Sequence, residues 1–172
     1  MNQSDHTTPT PTPGDTGSQR TLITWRDVAA AIDELISTSE RSIDVFDHSL
    51  ALQAWGDRGR CEALNRAMTD RRVQVRIMLV DARHVLSELP RLTQLLKTQA
   101  HRLQILCTSE RSIPEANFVV ADRQQLLLRP NSVHSRGYVD FDNSYKSMGY
   151  LRSFEVLWQL GGERVFPEAF GL

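Results

Sequence analysis

Short, almost wholly apolar runs alternate with apolar stripes at helical spacing, and this alternation limits what the chain can fold into more than any other feature. The plainest run is "VQVRIMLVD", Val73–Asp81, preceded by the basic turn "DRR". So apolar a run reads as a strand covered on both faces, because a half-exposed strand would alternate more strictly with polar residues. "RSIDVFD" (Arg41–Asp47) and "RLQILC" (Arg102–Cys107) are of the same kind. Helical stripes stand before and between them. Trp25, Val28, Ala29, Ile32, Leu35 and Ile36 share one helical face, and Thr24 with Asp27 resembles a capping box ahead of it. Cys61, Leu64, Ala67 and Met68 mark a helix over Arg60–Arg71. Val85, Leu86, Leu89, Leu92 and Leu96 mark another, which Pro90 should kink or reset.

The pattern then changes. "NFVVA" (Asn117–Ala121) and "QLLLR" (Gln125–Arg129) flank Asp122-Arg123-Gln124 and predict a hairpin. Val119, Ala121, Leu126 and Leu128 are expected to pack on one side of it, and Phe118 and Val120 on the other. A last helix is expected to start near Asp142 or Asn143, both fair N-caps, and to end at Gly161-Gly162. It carries Tyr150, Leu151, Phe154, Leu157 and Trp158 on its apolar side. The expected class is α/β: a layered sandwich with a mixed, mostly parallel central sheet flanked by helices.

With 172 residues the chain suits one domain with a real core. Residues 1–20 hold three prolines and one large apolar side chain, Met1, too little to offset ordering entropy. They are expected to be a disordered leader, with a single domain over 21–172. Val165, Phe166, Phe170 and Leu172 are too apolar for a free tail and are expected to pack on the domain or on a second copy. The formal net charge is −1, from 20 Lys and Arg against 21 Asp and Glu, which argues against nucleic acid as a partner except through a local patch. Cys61 and Cys107 lack metal-ligand spacing and read as buried thiols of a reducing compartment. No apolar run reaches the ~20 residues of a membrane span, and no signal-peptide pattern is visible, so a cytoplasmic location without membrane contact is the expectation. His48, His84, His101 and His134 show no close ligand spacing, and no phosphate-cradling glycine loop is present; neither metal nor cofactor is expected.

The order of these segments resembles one half of a phospholipase D-like protein. The residues that carry the resemblance are "SIDVFDHSL", "DRRVQVRIMLVD", the hairpin "NFVVADRQQLLLRP" and the helix "YLRSFEVLW", over about Thr21 to Gln159. The likeness is greater to a bacterial branch of that fold without the catalytic motif than to its enzymes. The enzymes carry His-x-Lys-x4-Asp. With Asp122 as the Asp, the frame here reads Glu115-x-Asn117-x4-Asp122. The resemblance implies that the His is the nucleophile and that the Lys holds the phosphate. A carboxylate at 115 would repel a phosphodiester, and Asn117 brings no charge, so the resemblance implies a fold kept without that chemistry. It also implies a homodimer, since the enzymes pair two halves.

A separate polar cluster is expected beyond the strand ends: Asp47 and His48 after one strand, Asp81, Arg83 and His84 after the next, and Arg129 and Asn131 after the hairpin. If Asp47, His48, Asp81, Arg83 and Arg129 converge, they suit a small anionic ligand; if they do not, they cap loops and helices. The first functional reading is a non-catalytic domain for binding or protein interaction. The second is an enzyme acting on a phosphorylated small molecule or nucleotide through Asp47, His48, Asp81 and Arg129, which requires His48 to meet a carboxylate in an open pocket. The third is a nucleic-acid-binding accessory domain.

Overall fold

The computed structural model describes residues 18–166. Residues 1–17 of the expected 1–20 leader, together with Phe170 and Leu172, lie outside the described residues, whereas Gln19 and Arg20 lie in the first strand, paired with Asp140 and Val139. The elements in order are β1 (Gln19–Leu22), α1 (Trp25–Thr38), β2 (Ser42–Asp47), α2 (Arg58–Asp70), β3 (Gln74–Leu79), α3 (Arg83–Glu88), α4 (Pro90–Thr98), β4 (Leu103–Cys107), β5 (Asn117–Ala121), β6 (Gln125–Arg129), β7 (Gly137–Asp140), α5 (Ser144–Leu160) and β8 (Glu163–Arg164).

Local signals fix most helix ends. Thr24 Oγ1 accepts from the Asp27 N–H while Asp27 accepts from the Thr24 N–H, a full capping box for α1. Asp57 caps α2 and Asn143 caps α5. Pro90 resets the expected third stripe into α3 and α4 by taking the first position of α4, where its missing N–H costs nothing.

One eight-stranded sheet runs β1-β7-β6-β5-β2-β3-β4-β8 among the described residues. It is mixed and flanked by helices, as expected, but it is not mostly parallel. Only the β2–β3 and β3–β4 pairs are parallel; β1–β7, β2–β5, β4–β8, β5–β6 and β6–β7 are antiparallel. The physical reason is the connections: helices cross over between β2, β3 and β4, whereas β5, β6 and β7 are joined without a helix and must reverse.

Two cores lie on the two faces. Ile43, Val45, Ile77, Val119, Ala121 and Leu127 face α1, α2 and α4. Phe46, Met78, Phe118, Val120, Leu126 and Leu128 face α5, with its Leu151, Phe154 and Leu157. The expected hairpin partition is therefore corrected at Leu126 and Leu128. The antiparallel register pairs Val120 with Leu126 and Phe118 with Leu128, so these four share a face. Val165 is buried in the first core, whereas Phe166 is 61% exposed, so only the first of the two described tail residues docks. Cys61 is buried and Cys107 half-buried, and both are free thiols.

Candidate functional site

β2, β5 and β6 are neighbours, and the carboxyl end of β2 meets the start of β5 and the end of β6. Asp47, Asn117 and Arg129 therefore meet on the face that α1 covers. All three are buried, with Asp47 4%, Asn117 3% and Arg129 1% exposed.

The Asp47 carboxylate organises the cluster. Oδ1 accepts the N–H groups of Ser49 at 3.0 Å and Leu50 at 2.8 Å, which folds the loop after β2 and holds Leu50 at φ +60°. Oδ2 accepts from Asn117 Nδ2 at 2.7 Å, from Arg129 Nη2 at 3.3 Å and from Gln53 Nε2. Gln53 in turn accepts from Trp55 Nε1 at 3.2 Å. Arg129 also gives Nη1 to the carbonyls of Ser132 at 3.1 Å and His134 at 2.9 Å. The Trp25 ring lies 4.9 Å from its guanidinium carbon, a cation–π contact. Burial pulls the Arg129 guanidinium below its ordinary range, against the opposing pull of Asp47. Its Nε has no hydrogen-bond partner among the described residues.

His48 is half-buried beside this cluster, and its Nδ1 lies 2.9 Å from Asn117 Oδ1. Since Asn117 Nδ2 donates to Asp47, its Oδ1 accepts, and His48 Nδ1 is the donor. The partner of His48 is thus an amide and not a carboxylate. The space enclosed by Asp47, Gln53, Asn117 and Arg129 holds no water-sized void.

The other expected residues lie apart. Asp81 and Arg83 form an exposed pair of their own, Nη2 to Oδ2 at 2.5 Å, with the Arg83 N–H on Asp81 Oδ1. The Arg83 hydrogen bonds hold the Asp81 carboxyl down at about 2. The backbone N–H of Asp81 reaches the His48 carbonyl, yet the two side chains make no hydrogen bond. Asn131 caps its own loop through the Val133 N–H. The five expected residues therefore divide into Asp47, bonded directly to Arg129 and through Asn117 to His48, and Asp81 with Arg83. Gln53 completes the cluster from a loop, and no spacing or motif marks it in advance.

Glu115 is exposed and precedes β5. Asp122 stands in the β5–β6 turn, and its carboxylate accepts the N–H groups of Glu40, Arg41 and Ser42 at 2.7–3.0 Å. No group of three or more His, Cys, Asp or Glu side chains among the described residues is placed to hold a metal ion. No described helix is long and apolar enough to cross a membrane.

The fold has known counterparts at low identity. Nuc from Salmonella typhimurium, a phospholipase D family member, superposes with a TM-score of 0.59 at 14% identity over 80% of this chain and 90% of its own. NucT from Helicobacter pylori gives 0.61 at 11% over 84% and 98%. TrmBL2, an archaeal chromatin protein, gives 0.65 at 11% over 87% of this chain, which spans only 55% of TrmBL2. No curated protein matches by sequence. The architecture is phospholipase D-like, and, through a match over residues 24–165, the chain belongs to the family described as a domain of unknown function, DUF7931.

Proposed function

We propose that this chain is a non-catalytic phospholipase D-like domain that serves binding or protein interaction. The observation that carries the reading is Asn117. It stands where the family frame puts the phosphate-holding Lys, and its amide is spent on Asp47 and His48 inside a closed, buried cluster. At the position of the nucleophilic His stands Glu115, an exposed carboxylate that would repel a phosphodiester. Asp122, the one matching residue, is spent on three backbone N–H groups. The enzyme reading needs His48 beside a carboxylate in an open pocket, and its partner here is Asn117. Protein interaction draws support from Val156 and Leu160, exposed apolar residues one turn apart on α5; light scattering at two concentrations tests for a homodimer.

The test is hydrolysis of a chromogenic phosphodiester and of DNA by the purified chain, beside Glu115→Ala and His48→Ala. No turnover is expected from any of them. Turnover by the parent that either substitution abolishes would overturn the reading.

A further inference from the structure

The amino ends of β2, β3 and β4, with the β5–β6 turn beside them, carry a row of arginines at the opposite end of the sheet from Asp47. Arg41 precedes β2, Arg72 precedes β3, Arg102 precedes β4, and Arg123 stands in the turn. Because the strand order is β5-β2-β3-β4, the order along the rim is Arg123, Arg41, Arg72, Arg102. Backbone bonds fasten the row: Asp122 N–H to the Ser42 carbonyl, Gln74 N–H to the Arg41 carbonyl, Val75 N–H to the Arg102 carbonyl. Arg102 Nη1 also donates to the Arg72 carbonyl at 2.8 Å. With strands about 4.8 Å apart, the row is about 14 Å long.

None of these four guanidinium groups belongs to an ion pair among the described residues. Arg41, Arg72 and Arg123 are exposed and Arg102 is half-buried. Glu40, beside Arg41, and Asp70, two residues before Arg72, are exposed and pair with no arginine among the described residues, which tempers the positive charge of the rim. The other neighbouring carboxylates are engaged elsewhere. Asp122 holds backbone N–H groups, and Asp44 and Glu155 both bind Arg76. A cleft of about 360 Å³ opens beside the row, lined by Arg41, Arg102 and Arg123 and by the mutually paired Asp44, Arg76 and Glu155; Arg72 stands outside its lining.

A second observation is independent of charge. Arg72 has φ +60° and Arg123 has φ +64°. Both are left-handed backbone positions, one just past the end of α2 and one in a hairpin turn, where glycine is the favoured residue. Backbone stability alone favours glycine at both, yet each is an exposed arginine at this end of the sheet.

We propose that this rim binds the phosphate backbone of a nucleic acid. Arginine forks match phosphate oxygens. Four of them in a line suit a chain of phosphates rather than one, which a cup would hold better. Among the described residues no aromatic side chain lines the cleft to stack on a base, so the binding is independent of sequence. A net charge of −1 gives no global attraction, so affinity rests on this row alone and is strongly salt-dependent. The inference goes beyond the non-catalytic reading and uses none of its residues except Asp122 as a backbone anchor.

The experiment is fluorescence anisotropy of the full chain with labelled single-stranded and duplex DNA of about 20 nucleotides, titrated across a salt series. The expected plot of log K against log salt has a slope of about −3.6 on duplex and about −2.8 on single strands, as for four phosphates neutralised. Arg41→Ala with Arg102→Ala should weaken binding at least about tenfold. Arg72→Gly and Arg123→Gly should each weaken binding while raising the melting temperature, a combination that a structural role would not give. The proposal is overturned by no binding at low salt, or by affinity that ignores these substitutions. It is overturned equally by melting temperatures that fall in both glycine variants with binding unchanged. Displacement by inorganic phosphate at the concentration of DNA phosphate, or preference for phosphatidylserine vesicles over DNA, would replace the nucleic acid with a small anion or a membrane surface. A failure here leaves the hydrolysis assay untouched, so the two readings fail separately.

Discussion

Asp47 and Arg129 show what a buried charge demands. Each is almost fully covered, and each is tolerable because the other, with Asn117, Gln53 and two loop carbonyls, engages all of its polar atoms but Arg129 Nε. Removing one partner strands the other. Asp47→Ala should lower unfolding free energy by about 3–5 kcal/mol, read by urea denaturation; a loss below about 1 kcal/mol would show that the cluster does not hold the loop after β2. At the surface, Asp81 offers a titration. Its folded value of about 2 lies below the usual 3.8, so its contribution to stability is whole above about 4 and is lost as pH falls toward 2. Carboxyl-carbon NMR should follow that midpoint, and Arg83→Ala should raise it toward the ordinary range, short of it because the residue-83 N–H still donates to Asp81. At this scale the sequence was readable where partners are near in the chain. Thr24 with Asp27 and the cap at Asn143 are three-residue signals. The bond from Asn117 to Asp47 spans 70 residues and depends on which strands are neighbours, which no spacing reveals.

At the scale of elements, the β5–β6 hairpin was legible to the residue, but its faces were not. Ala121 pairs with Gln125 across a three-residue loop, which sets the parity of every pair above it. Without that register Leu126 and Leu128 go to the wrong side. The three strands that the pattern did not show are β1, β7 and β8, at most four residues each and placed by their partners more than by their own composition. Gly137 shows how β7 is held. A Cβ there would lie 2.1 Å from the Leu128 carbonyl oxygen, in the neighbouring strand. Gly137→Ala should therefore separate β7 from β6 and cost about 2–3 kcal/mol or more by thermal melting. The Asp122 carboxylate, in turn, joins the hairpin to the start of β2. Asp122→Ala frees three backbone N–H groups and should cost about 1–3 kcal/mol.

At the scale of the molecule, helix and strand alternation sufficed for an α/β sandwich, and the sheet's mixture of directions followed only from its connections. The central strands β2 and β5 are buried along nearly their whole length, whereas β1 at one edge buries only Leu22. As the edge strand, β1 also has a single neighbour, β7, and among the described residues no strand covers its other side. The two facts give the sheet a gradient of amide protection. Arg20 and Thr21 should take up deuterium through local opening, on a timescale set by edge fraying. Val45 and Val119 should exchange only when the whole domain unfolds. Because Trp25, which covers Arg129, follows β1 by three residues, each opening of that edge strand loosens the lid over the buried charge pair, and the exchange rate of β1 should rise when Trp25 is replaced by alanine.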